Sequence, residues 1–226
     1  MAEEGAAAVV VSGRRQALGQ DLAEALCRIG SESLFVTADV TCEADLSGLV
    51  ERTMTRFGRL DAAFNNAGFQ ERRAPLAVQM DDAYAQVFDT NVRAVFHAMR
   101  HEIPTLIASG GGAIVNNTSV SGMRNPNPGL SLYGASKAAA IALTRAAAME
   151  YAPQSVRINA VAPGRVVTDI MLSSGIADMR TVAANLPLQR MGHPEEVAAA
   201  VLWLLSDEAS YIVGHMLATD GGFLAG

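Results

Sequence analysis

Short apolar segments alternate with longer helix-forming segments through most of this 226-residue chain. The apolar segments show little of the apolar–polar alternation expected of a strand with one wet face. They are instead typical of parallel strands that are covered by helices on both faces. The order of the segments therefore predicts an α/β fold with a doubly wound parallel sheet.

Strands are predicted at Ala7–Val11, Ser33–Val36, Leu60–Phe64, Ala113–Asn117, Val156–Val161 and Met216–Ala218. Helices are predicted at Gln16–Ile29, Glu43–Phe57, Asp81–Ala108, Leu132–Tyr151 and Pro194–Leu205. Neither a linker nor an internal repeat interrupts this order, so we expect one domain over residues 1–226. Sheets of this kind bind ligands at the carboxyl ends of their strands, where the candidate functional residues should lie.

Tyr133 and Lys137 are four residues apart at the start of a predicted helix, so their side chains share one face. A nearby ammonium favours the phenolate, and we expect Lys137 to lower the pKa of Tyr133. Such a phenol exchanges protons with an alcohol or a carbonyl group near neutral pH. Ser119, just beyond the strand Ala113–Asn117, has a hydroxyl that is suited to hold the substrate oxygen. The pattern alone is short, and an ordinary surface pair on a helix is the alternative.

Four other motifs occur in a fixed order around this pair. They are Asn65-Asn66-Ala67-Gly68, Asn91-Val92, Pro163-Gly164-Arg165-Val166-Val167-Thr168 and Asp220-Gly221-Gly222. Together with Ser119, Tyr133 and Lys137, they resemble the classical branch of the short-chain dehydrogenase/reductase family. The resemblance extends from about Ala7 to the C-terminus. It implies a Rossmann-like fold and an oxidoreductase that transfers hydride between a nicotinamide cofactor and an alcohol or ketone.

The same resemblance assigns a role to each matching residue. It implies that Tyr133 is the general acid/base, that Lys137 tunes it and holds the nicotinamide ribose, and that Ser119 contacts the substrate oxygen. Asn91 would position a water that leads protons to the lysine, although a satisfied amide inside a helix is the alternative. The other implied cofactor contacts are Asp39 and Val40 at the adenine, Asn66, Ala67 and Gly68 at the adenosine ribose, and Pro163, Gly164, Val166 and Thr168 near the nicotinamide. Asp39 could equally be a loop cap.

The beginning of the chain departs from the family pattern, which opens with a strand, a Gly-rich turn and a helix. In one alternative, Ser12–Gly19 is that turn, and the family's second strand and the helix after it are missing before Ser33. In the other, which we favour, Ala7–Arg15 is the family's second strand, and the first strand and its turn are absent. The sheet would then either have a gap or take Ala7–Val11 into its centre. In both cases the Gly-rich turn is absent or altered, which leaves dinucleotide binding open.

Arg14 and Arg15 stand at the end of the strand Ala7–Val11. If this is the family's second strand, the adenosine ribose would lie beside them. A guanidinium pairs with a 2′-phosphate, whereas a carboxylate there favours the 2′-hydroxyl. We therefore expect NADP(H) rather than NAD(H), with two solvated surface arginines as the alternative.

Charge and hydropathy bear on partners and location. The formal net charge is −6, without a basic stripe, so a nucleic acid partner is not expected. No apolar run reaches the roughly 20 residues that cross a bilayer, and the acidic N-terminus is unlike a signal peptide. We therefore expect a cytoplasmic protein without a membrane partner. His97 and His101 are four apart but have no third ligand at useful spacing, so no metal is expected.

Other functions remain open from the sequence. The shortened cofactor end also suits an isomerase, dehydratase or cyclase that uses the Tyr133–Lys137 pair without a cofactor. A catalytically idle binding subunit would not need Asn91, Ser119, Tyr133 and Lys137 together. The substrate is not identified, although the Met-containing segment Asp169–Met191 lies where the family has a substrate lid.

Two helices suggest self-association. On the helix Leu132–Tyr151, mostly small residues form a stripe: Ala138, Ile141, Ala142, Arg145, Ala146 and Met149. On the helix Asp81–Ala108, Val87, Val95, Phe96 and Met99 are spread around the cylinder. We expect a homodimer or homotetramer built on these two helices, because small residues allow close helix packing.

Overall fold

The computed structural model describes residues 1–125, 128–172 and 178–226. Its six strands are all parallel and form two sheets. The first sheet pairs β1 (Ala8–Gly13) with β2 (Glu32–Thr37). The second has the order β3 (Ala62–Asn65), β4 (Gly112–Asn117), β5 (Val156–Pro163) and β6 (Met216–Thr219). The predicted α/β class with parallel strands is confirmed, and each predicted strand is present with its ends within two residues of the prediction.

The helices alternate with these strands. In chain order they are α1 (Gln16–Arg28), α2 (Glu43–Phe57), α3 (Asp81–Phe88), α4 (Ala94–Ala108), α5 (Ser131–Tyr151), α6 (Asp169–Leu172), α7 (Met179–Ala184) and α8 (Pro194–Leu205). The short helices α6 and α7 lie in the segment expected to be a substrate lid, of which residues 173–177 are outside the described residues. None of the described helices combines the length and the apolar character that crossing a bilayer requires.

The predicted helix over Asp81–Ala108 has the predicted ends, but it is not α-helical throughout. A π-helical turn, Asp89–Arg93, separates α3 from α4. A π turn widens the helix by one residue and is frequent at functional sites. Asn91 lies in this turn and is almost completely buried.

The sheet has a gap beside β1, and β1 does not move into the centre. β1 pairs only with β2, and β3 pairs only with β4. This pairing agrees with the favoured alternative, in which β1 corresponds to the family's second strand. The residues of β3 and most of β1 are only half-buried, whereas β4 and β5 are largely buried. A strand without a neighbour loses hydrogen-bond partners and cover along that edge.

The main core surrounds β4 and β5. On one face, Ile114 and Ile158 pack against α4 and α5. On the other face, Val115 and Val161 pack against α8. Because successive strand residues point to opposite faces, two central strands build both layers. Their carboxyl ends are therefore firmly held where the candidate site lies.

Part of the apolar surface expected at a subunit interface belongs to this core instead. Val87, Val95 and Met99 are buried within the chain, and only Phe96 of that set is exposed. On α5, Ile141 is also buried. The rest of the small-residue stripe is exposed: Ala138, Ala142, Arg145, Ala146 and Met149. Apolar residues on several sides of a helix therefore do not by themselves indicate a subunit interface, because other parts of the same chain can cover them.

Candidate active site

Tyr133 and Lys137 lie on one face of α5, as their spacing predicts. The Lys137 Nζ is 5.7 Å from the centre of the Tyr133 ring. Ser119 lies two residues beyond β4, and its hydroxyl is close enough to the Tyr133 phenol to lower the pKa of that phenol. The strand end and the first turn of the helix therefore bring together a hydroxyl, a phenol and an ammonium.

The expected lowering of the Tyr133 pKa by Lys137 is wrong for this structure. Burial raises the pKa of the phenol and outweighs the hydrogen bond from Ser119, which lowers it. The charge of Glu71 adds to the rise, and that of Arg165 opposes it. Burial also lowers the pKa of Lys137 to about 8. The desolvation of each charged form is the dominant effect at this site.

The amide of Asn91 is fully engaged by protein groups. Its Oδ1 accepts the backbone N–H of Phe69 at 2.8 Å, and its Nδ2 donates to the Phe69 carbonyl at 2.8 Å and to Ser136 Oγ at 2.9 Å. Ser136 Oγ in turn donates to the carbonyl of Tyr133. Asn91 thus joins the loop after β3 to the face of α5 that carries Tyr133 and Lys137. Two roles for Asn91 were open from the sequence: positioning a water, or making all its hydrogen bonds inside the protein. The structure has the second arrangement.

Glu71 was not found from the sequence. Its carboxylate is buried and accepts the backbone N–H groups of Leu132 and Tyr133 at 3.1 Å. These are two of the first-turn donors that a helix leaves without intrahelical partners. Glu71 therefore caps α5 and places a negative charge close to Tyr133. A lone loop glutamate in the sequence carries no signal for this contact.

A network of side-chain hydrogen bonds connects the strands and helices beneath the site. Asn65 Nδ2 donates to Asn116 Oδ1 and to Glu102 Oε2, both at 3.0 Å. Asn116 Nδ2 donates to Thr144 Oγ1 at 2.9 Å. Burial raises the pKa of Glu102 to about 7. This network links β3, β4, α4 and α5 next to the turn at Asn66–Gly68.

The residues at the nicotinamide end fit a ribose. Lys137 Nζ donates to the backbone carbonyl of Asn117 at 2.8 Å, which leaves donors free on the ammonium. Asn117 Nδ2 donates to Asn66 Oδ1 at 2.7 Å. Asn117 Oδ1 is buried and has no partner among the described residues. Free donors beside an unpartnered acceptor suit the hydroxyl groups of a sugar. Ala67 and Gly68 complete the turn beside them.

The loop after β5 is shaped by close backbone contact. The Gly164 N–H donates to the carbonyl of Thr219 at 3.0 Å, and a Cβ on Gly164 would lie 2.7 Å from the Cα of Asp220. Only glycine therefore fits between Pro163 and the last strand. The Asp220 carboxylate accepts two backbone N–H groups of the following turn. The Pro-Gly and Asp-Gly-Gly motifs therefore pack against each other, with Gly164 in contact with the backbone of Asp220.

Val166 and Thr168 continue the same loop. Val166 is buried and forms a parallel bridge with Gly192. Thr168 is exposed, and its Oγ1 accepts the backbone N–H of Met171 at the start of α6. The two residues therefore lie in the connection between β5 and α6.

Candidate adenosine contacts lie on the first sheet. Asp39 Oδ1 accepts the N–H and the hydroxyl of Thr41, so it acts as a loop cap. Val40 beside it is half-buried. Arg14 Nη1 is 3.8 Å from Asp39 Oδ2, and its side chain is 79% exposed. Arg15 precedes α1 and is also exposed. Across the gap, these residues form a group separate from Tyr133 and Lys137.

His97 and His101 both face Glu43. The Glu43 Oε1 is 3.5 Å from His97 Nδ1, 3.6 Å from His101 Nε2 and 3.0 Å from Arg100 Nη1. The guanidinium already occupies this oxygen. In the described part of the chain, no three His, Cys, Asp or Glu side chains are arranged to hold a metal ion. The histidines thus belong to the contact between α2 and α4.

Known proteins match this arrangement along the whole chain. A family model described as enoyl-(acyl carrier protein) reductase matches residues 1–224. An A-factor type gamma-butyrolactone 1′-reductase (1S-forming) of Streptomyces virginiae is 41% identical over 98% of this chain and 87% of its own length. A cis-4-hydroxycyclohexanecarboxylate dehydrogenase of Sinomonas cyclohexanicum is 41% identical over 100% of this chain and 89% of its own length.

Among solved structures, NAD+-bound xylitol dehydrogenase superimposes with a TM-score of 0.90 at 30% identity, covering 98% of this chain and 90% of that one. The chain belongs to the classical short-chain dehydrogenase/reductase family, whose members transfer hydride between a nicotinamide cofactor and an alcohol or ketone.

Proposed function

We propose that this chain interconverts a small ring-borne secondary alcohol and its ketone. The observation that carries the proposal is the Ser119 hydroxyl that lowers the pKa of the nearby Tyr133 phenol, with the Lys137 ammonium 5.7 Å from the centre of the same ring. The ring character of the substrate rests on the names of the two curated relatives, a gamma-butyrolactone 1′-reductase and a cis-4-hydroxycyclohexanecarboxylate dehydrogenase.

In this proposal the protein moves the proton and orients the oxygen. When bound, the nicotinamide cofactor donates or accepts the hydride. For reduction, Ser119 hydrogen-bonds the carbonyl oxygen and Tyr133 donates its proton to that oxygen. The Lys137 charge stabilises the phenolate that remains. Asn91 holds the loop after β3 against α5 through the hydrogen bonds of its amide.

The cofactor would be held by the residues that the resemblance indicates. Lys137 and the Asn66–Gly68 turn would contact the ribose groups, supported by the unpartnered Asn117 Oδ1. The loop containing Pro163, Gly164, Val166 and Thr168 would enclose the nicotinamide. Asp39 and Val40 would lie at the adenine.

A direct assay tests this function. The purified chain is mixed with 4-substituted cyclohexanones and NADPH or NADH, and the loss of nicotinamide absorbance at 340 nm is followed. Calorimetry measures the binding of each nucleotide independently. Nucleotide-dependent reduction supports the proposal. Substrate conversion without any nucleotide would contradict it and would favour an isomerase, dehydratase or cyclase.

NADP(H) preference is a further part of the proposal, supported by Arg14 and Arg15 at the carboxyl end of β1. Replacing both arginines with alanine should weaken NADPH binding about 10- to 150-fold and leave NADH nearly unchanged, because charge-assisted hydrogen bonds contribute roughly 1.5–3 kcal/mol. Calorimetry on both nucleotides gives the comparison. Arg28→Ala, an exposed change at the end of α1, is the control. Equal losses for the two nucleotides would mean that the arginines do not contact the 2′-phosphate.

We also propose a homodimer or homotetramer that uses the exposed stripe of α5. Met149 is 76% exposed, and the alanines near it permit close helix packing. Replacing Ala142 with glutamate should shift the protein towards monomer, because the substitution places a charge in the closest part of the contact. Light scattering coupled to size exclusion measures the mass. The same change at Ala17, an exposed alanine on α1, is the control. A monodisperse wild-type monomer would contradict the proposal.

A further inference from the structure

Three arginines lie on three loops that meet at the carboxyl edge of the second sheet near Tyr133. Arg73 is two residues from Glu71, whose carboxylate accepts the Tyr133 backbone N–H. Arg124 lies in the loop between β4 and α5, and Arg165 lies in the loop after β5. Residues remote in sequence thus place positive charge beside the candidate proton donor.

Two of these guanidinium groups share one aromatic ring. The Cζ atoms of Arg124 and Arg165 are 5.4 Å and 6.0 Å from the centre of the Phe223 ring. Arg124 also donates to the carbonyl of Phe223 at 3.2 Å and to that of Gly226. Arg165 is half-buried, and within the described ranges its side chain has neither a hydrogen bond nor a carboxylate partner. Arg165 is therefore the arginine whose donors remain available.

The charges in this cluster interact. Burial lowers the pKa of Arg165, the charge of Arg73 lowers it further, and Tyr133 acts in the opposite direction. The nearby carboxylate of Glu71 is already occupied by two backbone N–H groups of α5. A partly desolvated guanidinium beside a second one is costly unless an anion joins them. An anion bound at Arg165 would offset this cost.

We propose that the substrate is a hydroxy or oxo acid whose carboxylate binds Arg165 while its reacting oxygen lies between Ser119 and Tyr133. This inference rests on the proposed function and specifies its substrate class. The planar guanidinium binds a carboxylate through two parallel hydrogen bonds, which also fixes the orientation of the ring. Arg73, which is exposed, adds attraction at the entrance.

Matched substrates test the proposal. The probes are 4-oxocyclohexanecarboxylate and its neutral methyl ester, which differ chiefly in the charge. With the wild-type chain, kcat/KM should be at least about 10-fold higher for the acid, and Arg165→Gln should lower the value for the acid about 10- to 100-fold, mainly through KM. The value for the ester should change little. Arg165→Lys, which keeps the charge without the planar fork, should recover part of the loss. Arg28→Gln is the charge-matched control.

A binding measurement without nucleotide distinguishes a failure of the carboxylate site from a failure of the proposed redox function. Calorimetry with 4-oxocyclohexanecarboxylate, without nucleotide, should show binding that weakens about 10-fold or more in Arg165→Gln and not in Arg28→Gln. If neither probe is reduced but this Arg165-dependent binding is found, the redox proposal fails and the anion site stands. Equal kcat/KM for acid and ester, or acid binding that does not depend on Arg165, would overturn the inference.

Discussion

Replacing Tyr133 with phenylalanine should lower kcat about 10²- to 10⁴-fold and leave the fold intact, which is the range that a general acid contributes. The phenyl ring preserves the packing, and only the hydroxyl, whose pKa Ser119 lowers, is lost. The assay is nucleotide-dependent ketone reduction, with the circular dichroism spectrum and melting temperature as checks on folding.

A matched control is available for this change. Tyr211 is fully exposed, and Tyr211→Phe removes the same hydroxyl at a position far from the site in chain order. This variant should keep wild-type kcat. If Tyr133→Phe also turned over at nearly the wild-type rate, Tyr133 would not be the proton donor.

Replacing Lys137 with methionine should lower kcat/KM about 10- to 150-fold, because hydrogen bonds to a charged group contribute roughly 1.5–3 kcal/mol. Methionine has a similar length and suits a site that is 3% exposed. The change removes both the ammonium that stabilises the phenolate and the ribose contact. Nucleotide binding, measured by calorimetry, should therefore weaken together with turnover.

Lys137 is the only lysine in the chain, so its ionisation can be observed directly. In protein labelled with ¹³C-lysine, its single side-chain signal should titrate with a pKa of about 8 instead of the ordinary 10.5, because burial disfavours the ammonium. Lys137 should therefore be charged below this pH and lose its charge as the pH rises through it. Wild-type kcat/KM should fall across the same interval, and the methionine variant should lack that step. A titration near 10.5 would show that the site is hydrated.

The sequence by itself determined the features that depend on near neighbours. The six strands and their parallel order follow from apolar segments separated by helices, and α2 and α8 have the predicted ends. The pairing of Tyr133 with Lys137 follows from one turn of a single helix. Ser119 was placed beside them because carboxyl ends of parallel strands meet at one edge of the sheet. In each case, the spacing along the chain determines the geometry.

The tertiary structure alone decided the features that depend on distant groups. The gap beside β1 depends on which strand is its neighbour, and the engagement of the Asn91 amide depends on the loop at Phe69, 22 positions away. Glu71 caps α5 across 62 positions of sequence. The Tyr133 pKa rises because burial removes water from the phenol, which outweighs its favourable neighbours. Desolvation and charge pairing depend on what surrounds a group in space, and the order of residues along the chain does not specify those surroundings.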